Sequence, residues 1–442
     1  MLLLAAAVEI YIDPMRLHAF GDRYARNLAN LIAEVLYGDE GQKHISVALY
    51  YDQMWPNGQA EWPVDYQTHA QALDDLRRAC PRAVVVDILL LHGKDSTVTK
   101  LVDVINRYKN TNCPVNGKLK RYGIPIYILG ADYSHQPERG ILPQIAQSDS
   151  RLVSGQVVQR DGMVSEYPIY TEHCFDTGRV LRKTPRRCAS LALQVYCDIV
   201  GGSSPMCSPN SNGTDKARLE LVWGMLGLSC QPRNALQRFG ASFRGILYRP
   251  AASLPNCYYH SVLPATALTD KRALRDRVVF YGASIRGLGD VFETPVASQM
   301  PGVFIHAMAL DNLITLDGRP YVNEFAGLDE RSLELLLSVP VLAALAALFV
   351  SYLGRKRPAE ISDIPAEQRY LREELRSLFE PWWILTLAAW FIVVLIITIC
   401  LRLSIAAGVN ALFLAAEMFP VLIVAGYSWF FLQRVCRRPK KT

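Results

Sequence analysis

Apolar positions are distributed differently on either side of about residue 333. Before it, short apolar runs alternate with segments of helical spacing. His44–Tyr51 (HISVALYY) predicts a buried strand running into Asp52. Tyr66–Ala79 places Ala70, Leu73 and Leu76 on one helical face. Ala83–Leu91 (AVVVDILLL) predicts a strand carrying Asp87, Val98–Tyr108 a helix, and Ile124–Gly130 another strand. Arg277–Gly282 is the last strong strand, and Val303–Ile314 is the helix after it. Such alternation predicts an α/β domain with a mixed or mostly parallel sheet.

After residue 333 the pattern turns continuous. Leu335–Leu353 is uncharged and long enough to cross a bilayer; Trp382–Leu401 and Ile405–Leu432 are two further predicted transmembrane helices, forming a hairpin. Trp382 and Trp383 open the second span as an interfacial belt would. The expected division is an external domain over 1–332, a first span over 333–353, a cytoplasmic loop over 354–380, the hairpin over 381–432 and a basic tail over 433–442. Leu371, Leu375 and Leu378 give that loop an amphipathic helical face, suited to docking an effector or lying on the membrane surface.

Charge orients these spans. The net charge is a modest +6, with Arg355, Lys356, Arg357, Arg434, Arg437, Arg438, Lys440 and Lys441 at membrane edges. Under the positive-inside rule the loop and tail are cytoplasmic, which puts residues before about 333 outside. The basic excess is thus a topology signal, and nucleic acid is not an expected partner. The cysteines agree. Eight of ten precede the spans, six of them between Cys174 and Cys257 in a Gly/Ser/Pro/Asn-rich stretch, which suits disulfides on an oxidising side of the membrane. Their connectivity does not follow from spacing. Metal ligation is the weaker alternative, since Cys257 and His260 form a lone CxxH. The opening MLLLAAAVEIYI is too short to span and carries Glu9, so a missing or shortened first helix is expected, the alternative being the apolar start of the domain.

Candidate chemistry gathers at strand ends. Asp52 and Asp87 close two predicted strands, and in open α/β sheets ligands bind beyond the carboxyl ends of strands. With Ser284 they define one candidate crevice, or else they cap helices and turns. Gly282–Asp290 (GASIRGLGD) follows a strand as anion-binding loops do, offering Ser284 and Arg286, but it matches no phosphate-loop pattern, and a tight structural turn is the favoured reading. Asp290 either pairs with Arg286 or caps the next turn. His306 is expected to pack. No hydrolase elbow, zinc-protease motif or Cys–His couple occurs, so catalysis, a cofactor and a metal are not expected. Glu417, mid-span beside Pro420, should face protein or water, as a relay, an intersubunit contact or pore lining, or as a protonated group inside the bundle.

These residues resemble the CHASE2 domain, an extracellular sensory module of bacterial signalling proteins. At the front, Tyr51-Asp52, Trp62-Pro63 and Val84–Leu89 with its Asp87 are similar to that family's strands and tryptophan–proline element, and Asp95 lies where acidic residues often follow. At the back, Tyr281–Ser284, Gly289-Asp290, Pro295, Met300–Val303 and His306-Ala307 follow its pattern closely. Asp65 stands where the family has a basic residue, and 174–257 resembles an insertion. The resemblance implies a periplasmic or extracellular sensor in the bacterial plasma membrane. No kinase or cyclase fits within the loop or tail, so the expected effector is a separate cytoplasmic protein. The other expected partners are the lipid bilayer, an extracytoplasmic ligand of unknown identity and a second copy of the chain. A channel-like membrane effector gated by the external domain is the alternative.

Overall fold

The computed structural model describes residues 30, 37, 39–51, 62–90, 97–115, 118–121, 123–130, 142–160, 162–171, 188–199, 204–207, 218–223, 260–266, 268, 270–285, 290–297 and 299–316. All lie in one compact unit, Asn30–Pro320. The three expected spans, the loop 354–380, Glu417, Asp52 and Arg286 fall outside the described residues. Among the described residues no helix is long and apolar enough to cross a membrane.

The strands are β1 (Ile45–Tyr51), β2 (Ala83–Asp87), β3 (Asn112–Val115), β4 (Lys118–Arg121), β5 (Ile126–Gly130), β6 (Arg151–Ser154), β7 (Val158–Arg160), β8 (Met163–Pro168), β9 (Tyr170–Thr171), β10 (Cys188–Ala189), β11 (Arg218–Glu220), β12 (Ser261–Pro264), β13 (Val278–Ser284), β14 (Val291–Phe292) and β15 (Met300–Pro301). The helices are α1 (Glu40–His44), α2 (Tyr66–Ala79), α3 (Val98–Tyr108), α4 (Pro143–Ala146), α5 (Leu191–Ile199), α6 (Lys271–Leu274) and α7 (Gly302–Thr315).

Six strands form one sheet in the order β12-β1-β13-β2-β5-β6, with every pairing parallel. Val- and Ile-rich runs suit it because a parallel sheet is covered on both faces and needs apolar side chains on each. The late strand β13 sits between β1 and β2, so the segment before α7 occupies the middle of the sheet. The smaller sheets are antiparallel: β7, β8 and β11 form a three-stranded unit, and β9–β10, β3–β4 and β14–β15 are two-stranded.

One sheet face is covered by α2 and α3. Asp65 caps α2, its side chain accepting from Thr68 N–H at 2.7 Å, and Ala70, Leu73 and Leu76 are buried beneath. The residue that departs from the family pattern is thus a helix cap. α2 ends where Cys80 turns left-handed (φ 57°), and Cys80 is bonded to Cys113, outside the cysteine-rich stretch. α3 buries Leu101, Val104, Ile105 and Tyr108 at helical spacing, and the Tyr108 hydroxyl donates to Leu73 O at 2.6 Å. Within the cysteine-rich stretch Cys197 pairs with Cys207, and Cys188 is also disulfide-bonded.

The other face belongs to α7. Gly282 in β13 is no turn glycine: an added Cβ would lie 2.8 Å from Val303 Cβ, so its missing side chain lets α7 seat on the sheet. Twelve of the fourteen residues of α7 are buried, which makes it a central helix with no solvated side along most of its length.

Candidate functional site

Period-2 alternation assigns each strand-end residue to a face. Val278, Phe280, Gly282 and Ser284 share the α7 face of β13, and Gly282 is in register with Asp87 of β2. Asp87 is therefore on the α7 face at the carboxyl edge of the sheet. Ser284 lies further along the same face, in register with Tyr51 at the end of β1.

Asp290 completes the group. Its carbonyl accepts from Gly302 N–H at 3.2 Å, and a Cβ on Gly302 would meet its Oδ1 at 2.4 Å. The carboxyl of Asp290 thus rests against the first residue of α7, the positive end of the helix dipole. The two acids feel one another. Burial pushes Asp87 well above the usual carboxylate range, and the charge of Asp290 raises it further. Asp290 is solvent-reachable as a residue, but desolvation of its carboxyl against the helix start raises it as well. Asp87 Oδ2 is itself buried with no hydrogen-bond partner.

Beneath them, His306 of α7 shares a 2.8 Å hydrogen bond with the Tyr167 hydroxyl of β8, and both rings are buried. Burial lowers His306 to about 4, so it is a neutral packing group at physiological pH, as expected from the sequence. Tyr167 is raised by burial, with the charge of Asp87 adding to it. The large apolar side chains exposed among the described residues are Leu89 (49%) and Val291 (45%), each within two residues of one of the acids.

Chemically this is a pair of carboxyls that favours sharing a proton or meeting a positive group. Asp87 and Ser284 share the α7 face toward the carboxyl edge, Asp290 lies against the start of α7, and Asp52, Arg286 and Glu417 lie outside the described residues. The contact between Asp290 and Gly302 was not anticipated; the Met-Pro-Gly sequence before an apolar helix was its only local signal. Among the described residues no three His, Cys, Asp or Glu side chains converge as a metal site.

A second cluster lies on the α2 face. His69 Nδ1 and the Tyr281 hydroxyl are 2.7 Å apart, and Tyr50, Trp62 and Tyr66 pack around the His69 ring. His69, Tyr50, Tyr66 and Tyr281 are buried, so this is aromatic core packing.

The profile of the CHASE2 domain matches residues 21–346 of the 442-residue chain. The chain belongs to the CHASE2 family. CHASE2 is a sensory, extracytoplasmic domain family, which supports a sensor role. No curated protein and no solved structure matches the chain. In this CHASE2 domain, the back-end residues Tyr281–Ser284, Asp290 and Gly302-Val303 are the ones that build the carboxyl edge and seat α7 upon it.

Proposed function

We propose that this CHASE2 domain is the external sensor of a multi-pass membrane protein. Its cue is recognised at the carboxyl edge of the sheet by Asp87, Asp290 and Ser284. Movement then passes along α7 into the membrane segment beginning at Leu335, and the loop 354–380 hands it to a separate cytoplasmic effector. One observation carries this reading: the Asp290 carboxyl rests on Gly302, so a ligand that engages the acid pair acts on the first turn of α7, the last described helix before the membrane segment in the sequence. A cue with a positive or hydrogen-bond-donating group fits the electron-rich pair.

The test uses the full chain in detergent, with thermal-shift measurements against small amines and divalent cations. A compound that raises the melting temperature, and loses its effect in Asp87→Asn, supports the site. A shift that persists in that variant places recognition elsewhere. Orientation is tested separately by phosphatase fusions at Gly354 and Thr442; both should be inactive, and high activity at either overturns the topology.

A further inference from the structure

We propose that Val222 and Trp223 form a clasp fastening the first and last segments of the α/β unit to each other, so that the three-stranded sheet leading into the clasp acts on both. The two residues follow β11, and the backbone just before them is still paired as a strand, Leu221 N–H donating to Ser165 O at 2.8 Å. Beyond that point asparagine side chains take over the pairing. Val222 N–H donates to Asn312 Oδ1 at 2.8 Å, and Asn312 Nδ2 donates back to Val222 O at 2.9 Å. Trp223 N–H donates to Asn30 Oδ1 at 2.7 Å, and Asn30 Nδ2 donates to Trp223 O at 3.4 Å. Two consecutive residues are thus each held at both backbone groups, one by a residue 193 positions upstream and the other by a residue 90 positions downstream.

The pairing is specific. Asn312 is fully buried on α7 and uses its remaining donor on Met308 O at 2.8 Å, so its amide is satisfied only while Val222 stays in place. The same two segments also meet directly. Tyr37 donates to Asp311 Oδ1, Gly41 N–H donates to Thr315 Oγ1 at 3.0 Å, and a Cβ on Gly41 would meet Asp311 at 2.5 Å. Paired amide bonds that form or break together make an all-or-none contact, as a two-state coupling device requires.

The signalling meaning of the clasp rests on the sensor reading; the coupling itself does not, and its test needs no ligand. Amide hydrogen exchange is measured on the full chain in detergent for the unaltered protein, Asn30→Ala, Asn312→Ala and the double variant. Asn30→Ala should speed exchange across 302–316 by roughly tenfold or more, with 83–87 and 278–284 unchanged. Asn312→Ala should do the same across 39–51, and the double variant should lose no more protection than either single one, as for groups acting as one unit. Changes confined to 218–223 and the substituted residue, or losses that multiply in the double variant, overturn the proposal. Should Asn312→Ala fail to fold, Asn30→Ala decides alone by whether α7 responds.

Discussion

On one face of the sheet, α2 and α3 bury apolar stripes and keep charged sides toward water; on the other, α7 has almost no outward side, and its polar residues are spent on partners. The α2 face combines apolar burial with a disulfide, the buried His69–Tyr281 and Tyr108–Leu73 hydrogen bonds, and Asp74, which pairs with Arg77 and Arg78 at 2.9 and 2.5 Å. Burial pushes Asp74 up, but the two guanidiniums hold it below the usual carboxylate range. The α7 face is held by directed bonds: His306 to Tyr167, Asp311 to His260 at 3.0 Å, and Asn312 to Val222. Apolar packing tolerates small shifts, whereas directed bonds are either made or broken. On the proposed sensor reading, the long-range polar pairs of α7 suit that face to switching and the α2 face to scaffolding.

Breaking the scaffold should give the larger effect. The Cys80–Cys113 bond closes a sequence separation of 33 residues, and a loop of that length restricts the unfolded chain by about 3–4 kcal/mol. Replacing both cysteines with serine should lower stability by about that amount, read as earlier unfolding in a denaturant series followed by proteolysis. A loss well under 1 kcal/mol would mean that packing alone holds this face.

The α7 face should respond to acid instead. His306 titrates near 4 in the folded protein and near 6.5 when unfolded, so its contribution is complete above pH 6.5 and lost as pH falls toward 4. The change is roughly 3 kcal/mol. His306→Gln should flatten the stability profile between pH 4 and 6.5 relative to the unaltered chain. An unchanged acid slope would show that His306 does not stay neutral on folding.

Much of this division was legible in the sequence. Tyr66–Ala79 and Val98–Tyr108 match the predicted helices because their stripes follow the 3.6-residue period and turn signals flank them. The strand predicted over Ala83–Leu91 ends at Asp87, since apolar character alone does not mark where a ladder stops. The glycine at 282 read as turn chemistry, but what it supplies is room for Val303, a fact of tertiary packing that a single chain cannot announce. The carboxyl-edge position of Asp87 followed from strand patterning. Its coupling to Asp290 did not, because that depends on where α7 starts in space. Asn30, Asn312 and Val222 were invisible, since side-chain-to-backbone pairing over such separations leaves no periodic trace.

The subtlest prediction concerns Asp87 and sharpens the contrast within the α7 face. Its folded pKa is raised, so the stability linked to it is fully present below the ordinary carboxylate value and is lost as pH rises through the folded one. Asp290 acts in the same sense and His306 in the opposite one, so as pH rises through the mildly acidic range the acids' loss of stability runs against the histidine's gain, and removing one acid unmasks the other trend. Asp87→Asn keeps the shape of the protonated acid and cannot ionise. Melting temperatures of this variant and the unaltered chain should agree at low pH and diverge as pH rises, with the variant the more stable. A variant that is less stable at every pH would mean that the Asp87 carboxylate is satisfied by a partner, and that the acid pair is structural rather than a place where a proton or a positive cue is received.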